Sequence, residues 1–401
     1  MAGFYFLSAL TSFFNFLYYP VMARITPPHI YGEIQFLVTI IFQVMVVFMA
    51  LNVVTIILSV RYNTNKPQLR KSVGALSSLF NNLTVGLTVL AVILLVIFRH
   101  SLHFNSPVAF IALGIAIIST VPFTIAVGKL QGQDRFIAAG LLSVGGSVLK
   151  LLISTSLVIF GFGATGAVIG IGIGQLLAVF VAISLGLFSY RELFNFRLQD
   201  TKLLSNDKVV IIVAGSSIVI TNLIITADTI GAKFILSSVD AGIYAGIATL
   251  AKIAIYIVSP LMWMVISSAV EPHKNSKKIG LIILLSSLMC LGLLAAYALM
   301  PQFIITLLIG TQYLTASHLL VLATAAMGAL AVATLLNTIL AASGKYKPTM
   351  QHASIIFGCF VGGVILLGMQ IEHILLSQLI AGGCGIAYYV GYKLIHQREV
   401  S

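Results

Sequence analysis

The chain has 401 residues, 59% of them hydrophobic and only 8% charged, with a mean hydropathy of +1.10. A soluble domain carries about 25% charged residues, so a soluble globular protein is excluded. The formal net charge of +12 fits Lys and Arg gathered in the loops on one side of a membrane better than a nucleic-acid surface, and no nucleic-acid partner is expected.

A spanning helix needs about 20 apolar residues. Twelve segments meet this, at 2–22, 34–60, 73–98, 108–127, 136–160, 164–189, 208–232, 242–268, 279–300, 313–342, 348–368 and 372–392. The runs are too long for strands and do not alternate, and backbone crossing lipid must close its own hydrogen bonds, which leaves helix. The expected fold is an all-α membrane protein of about twelve transmembrane helices. The first residues lack a basic stretch and an A-x-A site, so no cleavable signal peptide is expected.

The loops test this count. Loops 61–72, 128–135, 190–208, 269–278, 343–348 and the tail 393–401 hold 17 Lys and Arg, whereas the alternate set holds 3. The bias persists along the whole chain, which supports an even number of spans and places both termini in the cytoplasm. Tyr18 and Tyr19 near one end of the first span, and Tyr388, Tyr389 and Tyr392 near the end of the last, read as interfacial anchors.

Two weak internal matches divide the chain. Ile25-Thr26-Pro27-Pro28-His29-Ile30-Tyr31-Gly32 aligns with Ile235-Leu236-Ser237-Ser238-Val239-Asp240-Ala241-Gly242 at a separation of 210 residues. Gln131 to Arg135 aligns with Ser343 to Lys347 at 212. These predict two six-helix halves of parallel topology, 1–200 and 201–401, a transporter design.

Of 22 basic residues, only Lys150 and Lys252 lie deep in spans. Lys150 lies about 20 Å from its nearer basic loop at 1.5 Å per residue, and Lys252 lies near mid-span. A charge at that depth costs at least about 2.5–3.5 kcal/mol. Two readings stand: both lysines line a water-filled cavity and meet an anionic substrate, or each bonds backbone carbonyls or packs neutral. The one acid inside a span, Asp228, reads as an ion-pair partner for a lysine or Arg24, as a proton-coupling group, or as an interfacial acid in water. Arg24 at the end of the first span reads as a headgroup anchor or a substrate contact. Among the polar amides Asn15 and Asn222 are singled out as sugar contacts, against the ordinary reading of interhelical bonds. Pro260 is expected to kink the eighth span and to act as a hinge.

Several apparent motifs carry nothing. Gly161-Phe162-Gly163-Ala164-Thr165-Gly166 matches a nucleotide-binding glycine pattern, but no strand precedes it. Gly166, Gly170 and Gly174 instead make a small-residue ridge for close helix packing. Asn82-Leu83-Thr84 is a sequon inside a span. Cys290, Cys359 and Cys384 sit in apolar runs with no ligand spacing, so they read as core residues, and neither metal nor cofactor is expected. No Walker lysine, paired acidic magnesium motif or zinc-protease motif occurs, and the outer loops are short. A transporter is therefore expected rather than an enzyme.

The pattern Ala23-Arg24-Ile25-Thr26-Pro27-Pro28-His29-Ile30-Tyr31-Gly32 resembles the O-antigen and capsular polysaccharide flippases. These are the Wzx-type branch of the multidrug/oligosaccharidyl-lipid/polysaccharide exporter superfamily. So do the junction Asp228 to Lys233 with Gly242, Tyr244 and Lys252, and the run Gly132 to Phe136 followed by Lys150. The likeness covers nearly the whole chain in helix order and loop size, and departs from the family in its short polar leader. It implies two bundles around a central cavity in the inner membrane, acting as a monomer. It implies transfer of undecaprenyl-diphosphate-linked oligosaccharide to the outer leaflet, with polysaccharide assembly proteins and membrane lipids as partners. Lys150 and Lys252 would then meet the diphosphate.

Three other readings were weighed. A multidrug antiporter of the same superfamily carries cations and favours acids at depth. A lipid II flippase usually has two more helices. A membrane-embedded polysaccharide polymerase or glycosyltransferase needs a large outer loop or an acidic nucleotide-sugar site.

Overall fold

The computed structural model describes residues 2–62, 66–104, 107–196, 208–269 and 272–398. The expected junction at 200/201 and parts of the basic loops 61–72, 190–208, 269–278 and 393–401 lie outside them. Among the described residues the fold is all-α, without strands. The helices are α1 (Ala2–Ile25), α2 (Pro28–Arg61), α3 (Lys66–Ile97), α4 (Val108–Gly132), α5 (Phe136–Leu157), α6 (Gly163–Ser184), the short α7 (Tyr190–Leu193), α8 (Lys208–Ile235), α9 (Ser238–Ala251), α10 (Ile253–Ala269), α11 (Pro272–Leu299), the short α12 (Pro301–Leu308), α13 (Leu319–Ala342), α14 (Tyr346–Leu367) and α15 (Ile371–Arg398).

Each of the twelve expected spans falls on helix. Among the described residues nine stretches are long and apolar enough to cross a membrane; one, Phe136–Ser184, holds both α5 and α6. Those two helices reverse through Gly161 and Gly163, both at positive φ (90° and 50°), a conformation that glycine adopts without steric cost. The glycine pattern there makes a turn and no phosphate loop. The sequon is likewise spent on packing, since Asn82 Nδ2 donates to Ser78 O at 2.8 Å and Phe196 O at 2.9 Å.

The chain separates into two compact units, Met1–Lys208 and Val209–Ser401. Their elements repeat at one constant separation. The ends of α1 and α8 fall at 25 and 235, the starts of α2 and α9 at 28 and 238, the ends of α4 and α13 at 132 and 342, and the starts of α5 and α14 at 136 and 346. Asp134 and Gly344, again 210 apart, both take positive φ (58° and 70°) in the turn before α5 and α14. The second sequence match, aligned at 212, thus belongs at 210.

Within the first unit, small residues set the helix contacts. A Cβ on Gly174 would meet Lys150 N at 2.5 Å and Lys150 Cα at 2.8 Å, and one on Gly166 would meet Leu157 Cβ at 2.9 Å. The paired numbers run in opposite senses, so α5 and α6 are antiparallel along the predicted glycine ridge. Gly140 faces Leu7 and Lys150 faces Asn15; these numbers rise together, so α1 and α5 run parallel. In the second unit Gly385 packs on Ile356 and Gly363 on Ser377 across the antiparallel α14–α15 hairpin, and Gly382 packs on Ala329 of α13.

In the eighth span two helices meet at Lys252, whose backbone stays in the right-handed helical region (φ −66°, ψ −9°). Helix α9 ends at Ala251 and α10 begins at Ile253, so the two join at Lys252, and α10 continues across Pro260 to Ala269. Proline lacks the N–H that would reach the carbonyl four residues back. That carbonyl, Tyr256 O, accepts instead from Ser259 Oγ at 3.0 Å. At Lys252 the carbonyl is shared by Ile255 N (3.0 Å) and Tyr256 N (3.3 Å), the tightened pattern of a helix end.

Candidate functional site: two half-buried lysines

In the first unit Lys150 lies on α5 between α1 and α6. Its Nζ donates to Asn15 Oδ1 at 2.5 Å and sits 4.9 Å from the ring centroid of Tyr18. Tyr18 is held in turn, because its hydroxyl donates to Ala167 O of α6 at 3.2 Å. Ser154, one turn beyond Lys150, donates to the same carbonyl at 2.7 Å. Asn15 and Tyr18 are three residues apart on α1 and share a face. Tyr18 is only 1% exposed, so it is no interfacial anchor. Spacing from Asn15 was the signal that would have placed it in the site; proximity to the end of a span misled. Tyr389, 5% exposed, is corrected in the same way.

Lys150 forms no ion pair among the described residues. Its partners are an amide oxygen and a π face. A hydrogen bond to a charged group contributes about 1.5–3 kcal/mol, and a desolvated cation–π contact about 2 kcal/mol. Together they offset the roughly 2.5–3.5 kcal/mol cost of a lysine at depth. The ammonium is therefore tolerated without a counterion, and its positive charge stays unneutralised.

In the second unit the arrangement differs. Lys252 Nζ donates to Thr229 Oγ1 at 2.5 Å and lies 3.6 Å from Asp228 Oδ1. The other carboxylate oxygen of Asp228 accepts from Tyr244 OH at 2.7 Å. Asp228 is 0% exposed, which excludes the reading as a water-facing acid. The Lys252 side chain keeps 17% of its surface exposed. Here the positive charge has its partner inside the unit, and Tyr244 on α9 and Lys252 at the junction both hold α8. Sequence reading considered the acid and the lysine but missed Thr229 and gave Tyr244 no role.

Asp228 and Tyr18 are 210 residues apart, the same separation that relates the helix ends. In each unit one position on the first helix receives a lysine. Position 18 offers a ring face to a lysine from the fifth span, and position 228 a carboxylate to a lysine from the eighth.

The remaining candidates are placed otherwise. Arg24 is exposed in the last turn of α1, nine residues from Asn15 and so about 13 Å along the helix. Asn222 is half-buried on α8, where its carbonyl accepts from Thr226 Oγ1 at 2.9 Å. A further buried cluster was not anticipated: Glu192 of α7 meets Lys129 Nζ at 2.5 Å and Arg70 Nε at 2.9 Å. The one carboxylate serves two cations, the buried Lys129 and the 70% exposed Arg70, and Ser77 and Asn81 of α3 donate to the carbonyl of Leu193 beside it. It anchors the α7 segment to the first unit.

Gly174 sets the height of Lys150, since α6 touches the lysine backbone at that point. Gly174→Leu should therefore push α5 from α6 and destabilise the unit by about 1–3 kcal/mol through overpacking. Gly145, on α5 with nothing within 4 Å, should accept alanine with little effect. Thermal unfolding of the purified variants in detergent compares the two.

No family model matches the chain, and no curated protein sequence matches it. Solved structures do. The lipid II flippase MurJ in its inward closed conformation superposes with a TM-score of 0.75 at 13% identity, over 98% of this chain and 87% of that one. An inward-facing multidrug resistance MATE family transporter of the MOP superfamily gives 0.69 at 12% identity, over 96% and 94%. The Vibrio cholerae MATE transporter VcmN in the bent form gives 0.55 at 15% identity, over 98% of each. The fold is the one these flippase and transporter structures share.

Proposed function

We propose that this chain is a membrane transporter that moves a lipid-linked, diphosphate-bearing oligosaccharide between leaflets, from the cytoplasmic to the outer face of the inner membrane. The observation that carries the reading is Lys150, a half-buried ammonium held by neutral groups in a membrane-spanning bundle. A positive charge kept unneutralised at depth is a receptor for an anion. A lipid diphosphate supplies that anion while its tail stays in lipid. Asn15 is placed to orient the lysine, and in the second unit Lys252 can meet an anion that competes with Asp228. The fold shared with a lipid II flippase is consistent with lipid-linked cargo.

The rival reading is a multidrug antiporter, because MATE transporters share the fold. A cationic cargo calls for a buried acid with charge to spare. Asp228 is already matched by Lys252, so the described buried charges favour an anion.

The test is depletion in the native host. The leaflet that holds polyprenyl-diphosphate oligosaccharide is determined while surface glycan is assayed. Build-up on the cytoplasmic side with loss of glycan is expected, and the mass of the accumulated lipid identifies the cargo. An unchanged leaflet distribution with normal glycan would overturn the reading and turn attention to drug export.

A further inference from the structure

The α14–α15 hairpin ends in a cluster that neither lysine site uses. Lys345, at the start of α14, holds its Nζ 5.0 Å from the ring centroid of Tyr392. Lys393 holds its Nζ 5.9 Å from that of Tyr389. Tyr389 and Tyr392 are three residues apart and share a helix face, so both ammonium groups gather on one turn of α15. Tyr388 stacks on Tyr392 with centroids 6.3 Å apart. It is fixed by donating its hydroxyl to Gln351 Oε1 at 2.9 Å and by the edge of the buried His352 ring at 5.9 Å. Lys347 is exposed nearby.

Charge and depth identify what fits. The only acid described on α14 and α15 is Glu372, 21 residues from Lys393 and thus about 31 Å along the helix. Among the described residues neither lysine forms an ion pair. The apolar stretch of α15 runs from Ile371 to Ile395, which puts Tyr392 and Lys393 in its last turn, at the depth where headgroups meet tyrosine belts. Val390, Leu394 and Ile395 on the same turns are 49%, 59% and 60% exposed and present an apolar wall to a chain lying alongside. Lysines over tyrosine faces give up rotamer freedom before any ligand arrives, which lowers the cost of binding. A doubly basic, hydroxyl-bearing platform beside exposed aliphatic surface matches a ligand with a phosphate and acyl chains.

We propose that this end of the hairpin is a binding site for the phosphate headgroup of an anionic phospholipid, with Lys345 and Lys393 as its charge contacts and the Tyr388–Tyr392 pair as its wall. The site lies wholly within the second unit and does not depend on the transport reading.

The full-length protein is purified and titrated with phosphatidylglycerol by native mass spectrometry. Its thermal unfolding is compared in nanodiscs of phosphatidylcholine and of an equimolar phosphatidylcholine–phosphatidylglycerol mixture. Phosphatidylglycerol should bind and stabilise the wild type. The double variant Lys345→Gln/Lys393→Gln should lose affinity about 30-fold together with most of the stabilisation. Lys277→Gln/Lys278→Gln, at exposed lysines of α11, should keep both. Equal affinity in wild type and the Lys345/Lys393 variant overturns the proposal. So does displacement by inorganic phosphate alone, which would make this a phosphate site. So does binding of a polyprenyl diphosphate but not of phosphatidylglycerol, which would make it a port for cargo.

Discussion

Lys150→Met is expected to cut transfer of the lipid-linked diphosphate by about 100-fold or more, while membrane insertion and thermal stability change little. Truncating one side of a buried charge contact costs roughly 2–5 kcal/mol, and each 1.4 kcal/mol is tenfold. The variant isolates the contact with cargo because Lys150 has no acid partner among the described residues to leave behind. Asn15 Oδ1 loses a donor, at a cost of about 1–3 kcal/mol. The removal of a charge from membrane depth returns about 2.5–3.5 kcal/mol, and methionine keeps the volume. The measurement is leaflet assignment of the labelled lipid in vesicles holding each variant, with unfolding curves run alongside. Lys150→Arg keeps the charge but not the compact ammonium between Asn15 and Tyr18, and should retain partial transfer. Normal transfer by Lys150→Met would remove the lysine from the transport pathway and leave it a structural residue of the α1–α5 contact.

What the sequence discloses here depends on the range of the forces involved. Lipid acts on every residue of a span, so the helices at 108–127 or 319–342 are legible from hydropathy alone. The glycine ridge on α6 is equally legible, because a backbone approach such as that of Gly174 to Lys150 needs no information beyond residue size and helical period. Burial of single side chains is set by which neighbour covers them. Tyr18 and Tyr389 carry the same ring as interfacial tyrosines and were misplaced for that reason. The junction of α9 and α10 at Lys252 was also hidden. At Pro260 the carbonyl that proline cannot reach accepts from Ser259 Oγ instead, while the junction of α9 and α10 falls at the residue whose ammonium reaches α8. Partner identity was least legible. Lys150 and Lys252 look alike in sequence, but one meets Asn15 and a ring while the other meets a carboxylate.

That difference yields the second large effect. Asp228→Asn should destabilise the protein by about 3–5 kcal/mol, the usual result of removing one member of a buried pair. The lower end is expected because Lys252 retains some exposure. Lys252→Met should cost more, since it leaves a carboxylate that is 0% exposed with only Tyr244 and Thr229 to hold it. The double variant Asp228→Asn/Lys252→Met removes both charges and should recover to within about 1 kcal/mol of wild type, as replaced buried pairs commonly do. Unfolding in detergent reads all three. Transport by the double variant then separates two roles that the geometry joins. If Lys252 is a cargo contact, the recovered protein folds yet transfers lipid poorly, and a Lys150→Met addition worsens little that is left. If the pair only ties the α9–α10 junction to α8, the double variant transfers at the wild-type rate, and Lys150 stands as the sole deep cation acting on cargo among the described residues.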